Sequence, residues 1–340
     1  MKHTDFKKTF NPFVGRNEEK SSGLAFSVAI GASFLLSILF LIVFRLCGAM
    51  KEGYTETDWW RYFSFLLPQL SFAITAGLYF SDKKRSFKET AGKPTLLYIV
   101  LAVILQFGLL SLSSLNGLFL KWLERFGYTP SEIAIPSTEG ARVLPVIFVI
   151  AVLPACLEEL FFRGILFNGL KKFGGAAAVL ICAAIFSLYH QNPAQTVYQF
   201  LCGACFALIV FRSGSIVPTV ISHFLNNAVI VIFYACGISE YPGGVVFLCV
   251  SAICLVGSLI YLLFVDKRIG GKRKDERKQR CDDGAQENGT NEENDRRKNT
   301  LLNVNAEEEK KADAKGFVLY ALFGIVICAL NWISSLISGM

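Results

Sequence analysis

Long apolar stretches recur nine times along this chain, near 24–47, 61–80, 95–120, 143–169, 174–190, 194–211, 216–236, 243–265 and 317–338. About 20 mostly apolar residues span the hydrocarbon core of a bilayer as a helix. Lipid offers no partners to the backbone, so each span must satisfy its own N–H and C=O groups, and helices do so. The pattern predicts an all-α fold, a multi-pass transmembrane helical bundle of about eight core helices plus one C-terminal helix. The run 174–190 is short, and only Gln191-Asn192-Pro193 separates it from 194–211. Those two should form a tight helical hairpin or a re-entrant pair.

Charge sharpens the division. Charged residues make up 18% of the 340 positions, against about 25% in a soluble globular chain. The segment 266–315 alone holds 14 Lys/Arg and 13 Asp/Glu. Such a distribution excludes an ordinary soluble enzyme, a nucleic-acid-binding domain and a fibrous protein. Five regions follow: a cytoplasmic N-terminal tail (1–22), N-terminal membrane helices (23–142), a helical domain rich in unusual polar residues (143–265), a charged cytoplasmic loop (266–315) and an additional C-terminal membrane helix (316–340). The loop is polar and poor in aromatics, a composition that favours disorder.

Lys and Arg crowd the N-terminal segment and the even-numbered loops, whereas the opposite side holds Arg45, Lys51, Arg61, Lys121, Arg125 and Arg142. The positive-inside rule then puts the N-terminus in the cytoplasm of a multi-pass protein of the cell membrane. The first apolar run exceeds the roughly 7–15-residue core of a cleaved signal peptide and reads as a retained helix. Trp59, Trp60 and Trp122 fit interfacial anchors. Asn288-Gly289-Thr290 matches a glycosylation sequon but falls on the cytoplasmic side. Cys202-Gly203-Ala204-Cys205 is read as small residues that let helices approach.

Function should lie in the polar residues that the membrane makes costly. A charge at the bilayer centre costs about 2.5–3.5 kcal/mol on insertion scales. Glu158, Glu159 and Arg163 nevertheless fall within one span, so they must face protein or a water-filled cavity. Glu159 and Arg163, four apart, share a helix face and can pair. Glu158 is turned by about 100° from Glu159 and keeps a free carboxylate. Of three histidines, His3 lies in the polar tail, while His190 and His223 lie in spans or at their ends. Phe186 sits one turn before His190, and Asn227 one turn after His223.

Glu158, His190, His223 and Asn227 make an inventory for hydrolysis. A carboxylate and an imidazole can deprotonate water, and an imidazole and an amide can donate to an oxyanion. Glu158, His190 and His223 equally match the N/O ligand set of a divalent metal such as zinc. The residues alone leave both open.

At these positions the chain resembles the CAAX prenyl protease and bacteriocin-processing (CPBP, or Abi) family of intramembrane proteases. That family's signature is E-E-x-x-x-R, then F-x-x-x-H, then H-x-x-x-N, on three membrane helices. Here it reads Glu158-Glu159 through Arg163, Phe186 through His190, and His223 through Asn227. The resemblance covers roughly 143–236 and marks 143–265 as the catalytic helical domain. It implies an endopeptidase that cuts a membrane-associated or prenylated protein or peptide, with the bilayer and that substrate as partners and no nucleic acid. Glu158 and His190 would activate water, His223 and Asn227 would bind the oxyanion, and Glu159, Arg163 and Phe186 would support them. Members are commonly labelled metalloproteases, although a metal-independent glutamate mechanism is also argued.

Two other classes compete. A non-catalytic bacteriocin self-immunity or scaffold protein would keep the fold without turnover. A proton-coupled transporter would use buried Glu and His as a relay, but it predicts an inverted repeat that the sequence lacks. Depth raises one discord. Counting about 1.5 Å per residue, Glu158 and His223 fall in the cytoplasmic halves of their helices and His190 at the far end of its own. A tilted or re-entrant 174–190 would reconcile them.

Overall fold

The computed structural model describes residues 11–130, 134–238, 244–270 and 312–340. Nine helices dominate the described residues: α1 (Glu18–Leu46), α2 (Asp58–Phe80), α3 (Leu96–Glu124), α4 (Gly140–Phe173), α5 (Gly175–Tyr189), α6 (Pro193–Ser213), α7 (Val217–Ala235), α8 (Gly244–Val265) and α9 (Ala314–Ser338). Eight are long and apolar enough to cross a membrane, and α5 is the shorter ninth. No strand occurs among the described residues. The chain is a multi-pass membrane protein. Most of the 266–315 loop, His3 and the sequon lie outside the described residues.

The exterior inverts the pattern of a soluble protein. Leu35, Leu46, Val245, Val246, Ile253, Phe264 and Leu319 are exposed, while Glu158, Glu159, Arg163 and His223 are buried. With lipid as apolar as leucine, helices gain little by hiding leucine and associate instead through close packing and polar contacts.

α1 and α9 show this. Asn17 caps α1 by accepting from the Lys20 N–H, and Asp313 caps α9 by accepting from the Gly316 N–H. The caps adjoin: Asn17 Nδ2 donates to Asp313 Oδ2 at 3.2 Å, and Lys20 Nζ lies 3.1 Å from the same oxygen. The helices therefore run parallel. A Cβ on Gly324 would come 2.7 Å from the Phe26 ring, so only glycine permits the contact. Ser27 Oγ donates to the Tyr320 carbonyl at 2.6 Å beside it. A parallel first and ninth helix fits an alternating chain whether α5 and α6 cross as two passes or return as a re-entrant pair.

α5 is short because the chain turns early. Its 15 residues rise about 22 Å at 1.5 Å per residue, well under a hydrocarbon core of about 30 Å. It stops at His190, and Gln191 follows at φ 51°, a left-handed conformation uncommon outside glycine. Asn192 caps the next turn by accepting from the Ala194 N–H at 2.9 Å, and Pro193 opens α6. α5 and α6 pack side by side around this turn, as either a tight hairpin or a re-entrant pair would, and the turn lies at the wall of the cavity described below.

α4 departs from α-geometry twice. π-helical turns at Phe148–Val152 and Glu159–Leu166 flank the α-helical Leu153–Glu158. Proline at 154 removes the N–H that the Ile150 carbonyl would accept in an α-helix.

Candidate active site

A cavity of about 920 Å³ lies between the helices, and Glu158, His190, His223 and Asn227 all line it. The three motif segments, far apart in sequence, thus meet at one place. Much of its remaining wall comes from α1, α2, α3, α6 and α9, with Phe34, Gln69, Asn116, Tyr198 and Asn331 among the contributors.

The charged layer is partnered through some of its atoms, while Glu159 Oε2 and Arg163 Nε have no hydrogen-bond partner among the described residues. Arg163 Nη1 donates to Glu159 Oε1 at 2.8 Å, with both side chains fully inaccessible. This is the pair that i,i+4 spacing predicts. The same carboxylate oxygen also faces His223 Nδ1 at 2.9 Å. Arg163 Nη2 reaches the Gly203 carbonyl at 3.4 Å, and its guanidinium lies 4.2 Å from the Phe186 ring centre and 5.2 Å from that of Phe206. Aromatic faces stabilise a desolvated guanidinium. Gly203 is small for a reason: a Cβ there would come 3.1 Å from the Phe186 ring and from Ala183. The Cys202–Cys205 segment therefore serves close packing, and both thiols are free.

Phe186 does two things. Its ring covers Arg163, and its carbonyl takes a hydrogen bond from His190 Nδ1 at 2.9 Å. A carbonyl can only accept, so Nδ1 carries the hydrogen and Nε2 of neutral His190 keeps its lone pair. The F-x-x-x-H spacing thus fixes the tautomer of the histidine.

Glu158 is held differently from Glu159. Gln69 Nε2, on α2, donates to Glu158 Oε1 at 2.9 Å. Glu158 Oε2 lies 4.0 Å from His223 Nε2, beyond a hydrogen bond but close enough for one water oxygen to touch both.

Asn227 Nδ2 donates to the Ile150 carbonyl at 2.9 Å, supplying the donor that Pro154 withholds. Its Oδ1 accepts from Asn226 Nδ2 at 3.1 Å. Asn226 Oδ1 in turn receives Gln106 Nε2 at 3.0 Å and the Tyr198 hydroxyl at 2.7 Å, and Ser222 Oγ donates to Gln106 Oε1 at 2.9 Å. Buried amides in such a chain are satisfied and fix one arrangement.

Sequence reasoning missed Gln69, Gln106, Tyr198 and Asn226. Each is a single polar residue with no motif spacing. The signal available was an uncharged amide inside an apolar span, as at Gln69 and Gln106.

As to a metal, no three His, Cys, Asp or Glu side chains among the described residues converge at ligand spacing. His223 Nδ1 is engaged by Glu159, and Nε2 stands off Glu158. As arranged here, these side chains do not present three ligand atoms to one ion.

Residues 140–229 match the model of the family described as type II CAAX prenyl endopeptidase Rce1-like. The match spans α4 to α7 and contains all three motifs, so the family resemblance read from the motifs holds over that segment. It is a family of CAAX-type intramembrane endopeptidases. No curated protein and no solved structure matches the chain.

Proposed function

We propose that the chain is an intramembrane endopeptidase that hydrolyses a peptide bond of a membrane-associated or prenylated protein, with its N-terminus and active site on the cytoplasmic side of the cell membrane. The observation that carries this reading is one cavity between the helices that receives a carboxylate, two imidazoles and an amide from three segments of the chain. Glu158 Oε2 and His190 Nε2 have no described hydrogen-bond partner and belong to residues that line the cavity, and together they accept the proton of an attacking water. His223, held through Nδ1 by Glu159, donates through Nε2 when protonated. Asn227 donates with the N–H that Ile150 does not use. Those two stabilise the oxyanion of the tetrahedral intermediate. Arg163 and Phe186 hold Glu159 and His190 in place, and the low dielectric strengthens each contact.

The test compares peptide termini in host membranes carrying the wild-type chain or Glu158→Gln. A new terminus that appears only with wild type supports proteolysis and names the substrate. Identical profiles at equal expression would sink the reading in favour of a non-catalytic immunity or scaffold protein. Addition of a chelator to the same membranes decides whether a divalent metal takes part.

A further inference from the structure

Gln69 is 5% exposed and follows Pro68 inside α2, outside the family-matched segment. One side of it faces the cavity that holds Glu158, and the other side is apolar. Leu66, Leu67, Leu70, Leu153 and Leu157 join it around a smaller cavity with an entirely apolar surface, about 370 Å³ in volume. Its Oε1 is buried and has no hydrogen-bond partner among the described residues. A buried acceptor left unmade is unfavourable, so an apolar side chain of the same size would suit the pocket better. What the amide does make is one bond, from Nε2 to Glu158 Oε1 at 2.9 Å.

That bond discriminates between the two oxygens of Glu158. Oε1 is tied to α2, and Oε2 is left facing His223 Nε2 at 4.0 Å. Without the tie, the carboxylate could rotate about its terminal torsion, which is broad and roughly two-fold, and present either oxygen at any angle. We infer that Gln69 is a positioning residue which fixes Glu158 so that Oε2 alone is the reactive oxygen. This inference deepens the proteolytic reading, but the hydrogen bond can be tested apart from it.

The experiment uses the full-length chain in lipid nanodiscs, labelled with 13C-glutamate. Infrared difference spectra identify the carboxyl bands of Glu158 by their loss in Glu158→Gln. In Gln69→Met, close in volume and without a donor, those bands shift. In Gln69→Asn, whose amide is one methylene short, they shift too. Bands that coincide with wild type in both variants would overturn the inference. The same proteins are then offered an internally quenched peptide carrying a farnesylated cysteine. Losing a hydrogen bond to a charged group corresponds to about 10–100-fold, expected in kcat with KM held within about two-fold. A rise in KM with kcat unchanged would overturn the positioning role. If wild type leaves the peptide intact while the bands still move, the hydrogen bond stands and it is the protease reading that fails for this substrate.

Discussion

The matched segment 140–229 and the helices around it contribute in different currencies. Between α4 and α7 lie the ionisable residues, Glu158, Glu159, Arg163, His190 and His223, at spacings that a family signature can capture. The flanking α1, α2, α3 and α9 bring neutral groups. Gln69 holds Glu158, Gln106 holds Asn226, and Asn331 Nδ2 donates to Gln191 Oε1 at 2.8 Å. Trp332 Nε1 donates to Thr196 Oγ1 at 2.8 Å. The last two contacts grip the turn that carries His190. Chemistry thus resides in one region, while the other sets its geometry through single amides that leave no periodic trace.

The contrast breaks most sharply at the ionisable groups. Glu158→Gln, His190→Ala and His223→Ala should each cut peptide hydrolysis by about 10²–10⁴-fold, the range for a general acid or base, while membrane insertion is unchanged. Residual activity within ten-fold of wild type in a cleavage assay would remove that residue from the reaction. Asn227→Ala should cost about 10²–10³ in kcat as a lost oxyanion donor. It should also lower the thermal midpoint, because the Ile150 carbonyl is left bare. Arg163→Met strands Glu159 and should destabilise the fold by about 3–5 kcal/mol, read in a denaturation curve of the solubilised protein.

Outside the matched segment the effects should be smaller. Asn331→Ala and Trp332→Phe each delete one neutral hydrogen bond worth about 0.5–1.5 kcal/mol, which predicts a loss of roughly 2–10-fold in activity. A larger loss than at Asn227 would erase the distinction between the two regions. The smallest effect concerns Asp266, just past α8. Burial works against its charge, but hydrogen bonds from Arg268 and from the Tyr98 hydroxyl, the latter at 2.5 Å, hold the carboxyl below its usual range. With a lowered folded-state value, its stabilisation is present above the ordinary carboxylate range and is lost as pH falls through the folded value. The thermal midpoint of Asp266→Asn should therefore approach that of wild type only at acidic pH.

Legibility followed the same divide. Helix count and the Glu159–Arg163 pair could be read from apolar length and i,i+4 spacing, because those rules are local, whereas the gathering of Glu158, His190 and His223 at one cavity was implied by the family resemblance and ran against the depth count for His190. The mid-bundle turn after α5 was half legible: the short span and Gln191-Asn192-Pro193 announced it, yet the depth of His190 depends on where α9 grips Gln191. Gln69, Gln106 and Asn226 meet their partners only across long stretches of chain. α9, which reads from sequence as an addition, runs beside α1 and lines the cavity at Ile327 and Asn331.

The proline in α4 has an implication for how such sequences can change. Because residue 154 offers no N–H, the Ile150 carbonyl accepts one from Asn227 Nδ2 instead, which couples two positions 73 apart. Pro154→Ala would restore that N–H and release the asparagine to swing away. Asn227→Ala in that background should then be gentler on stability than in the native chain. Drift at either site is conditional on the other, and a substitution that looks tolerable at 154 alone would be felt first in the middle of α7, at Asn227.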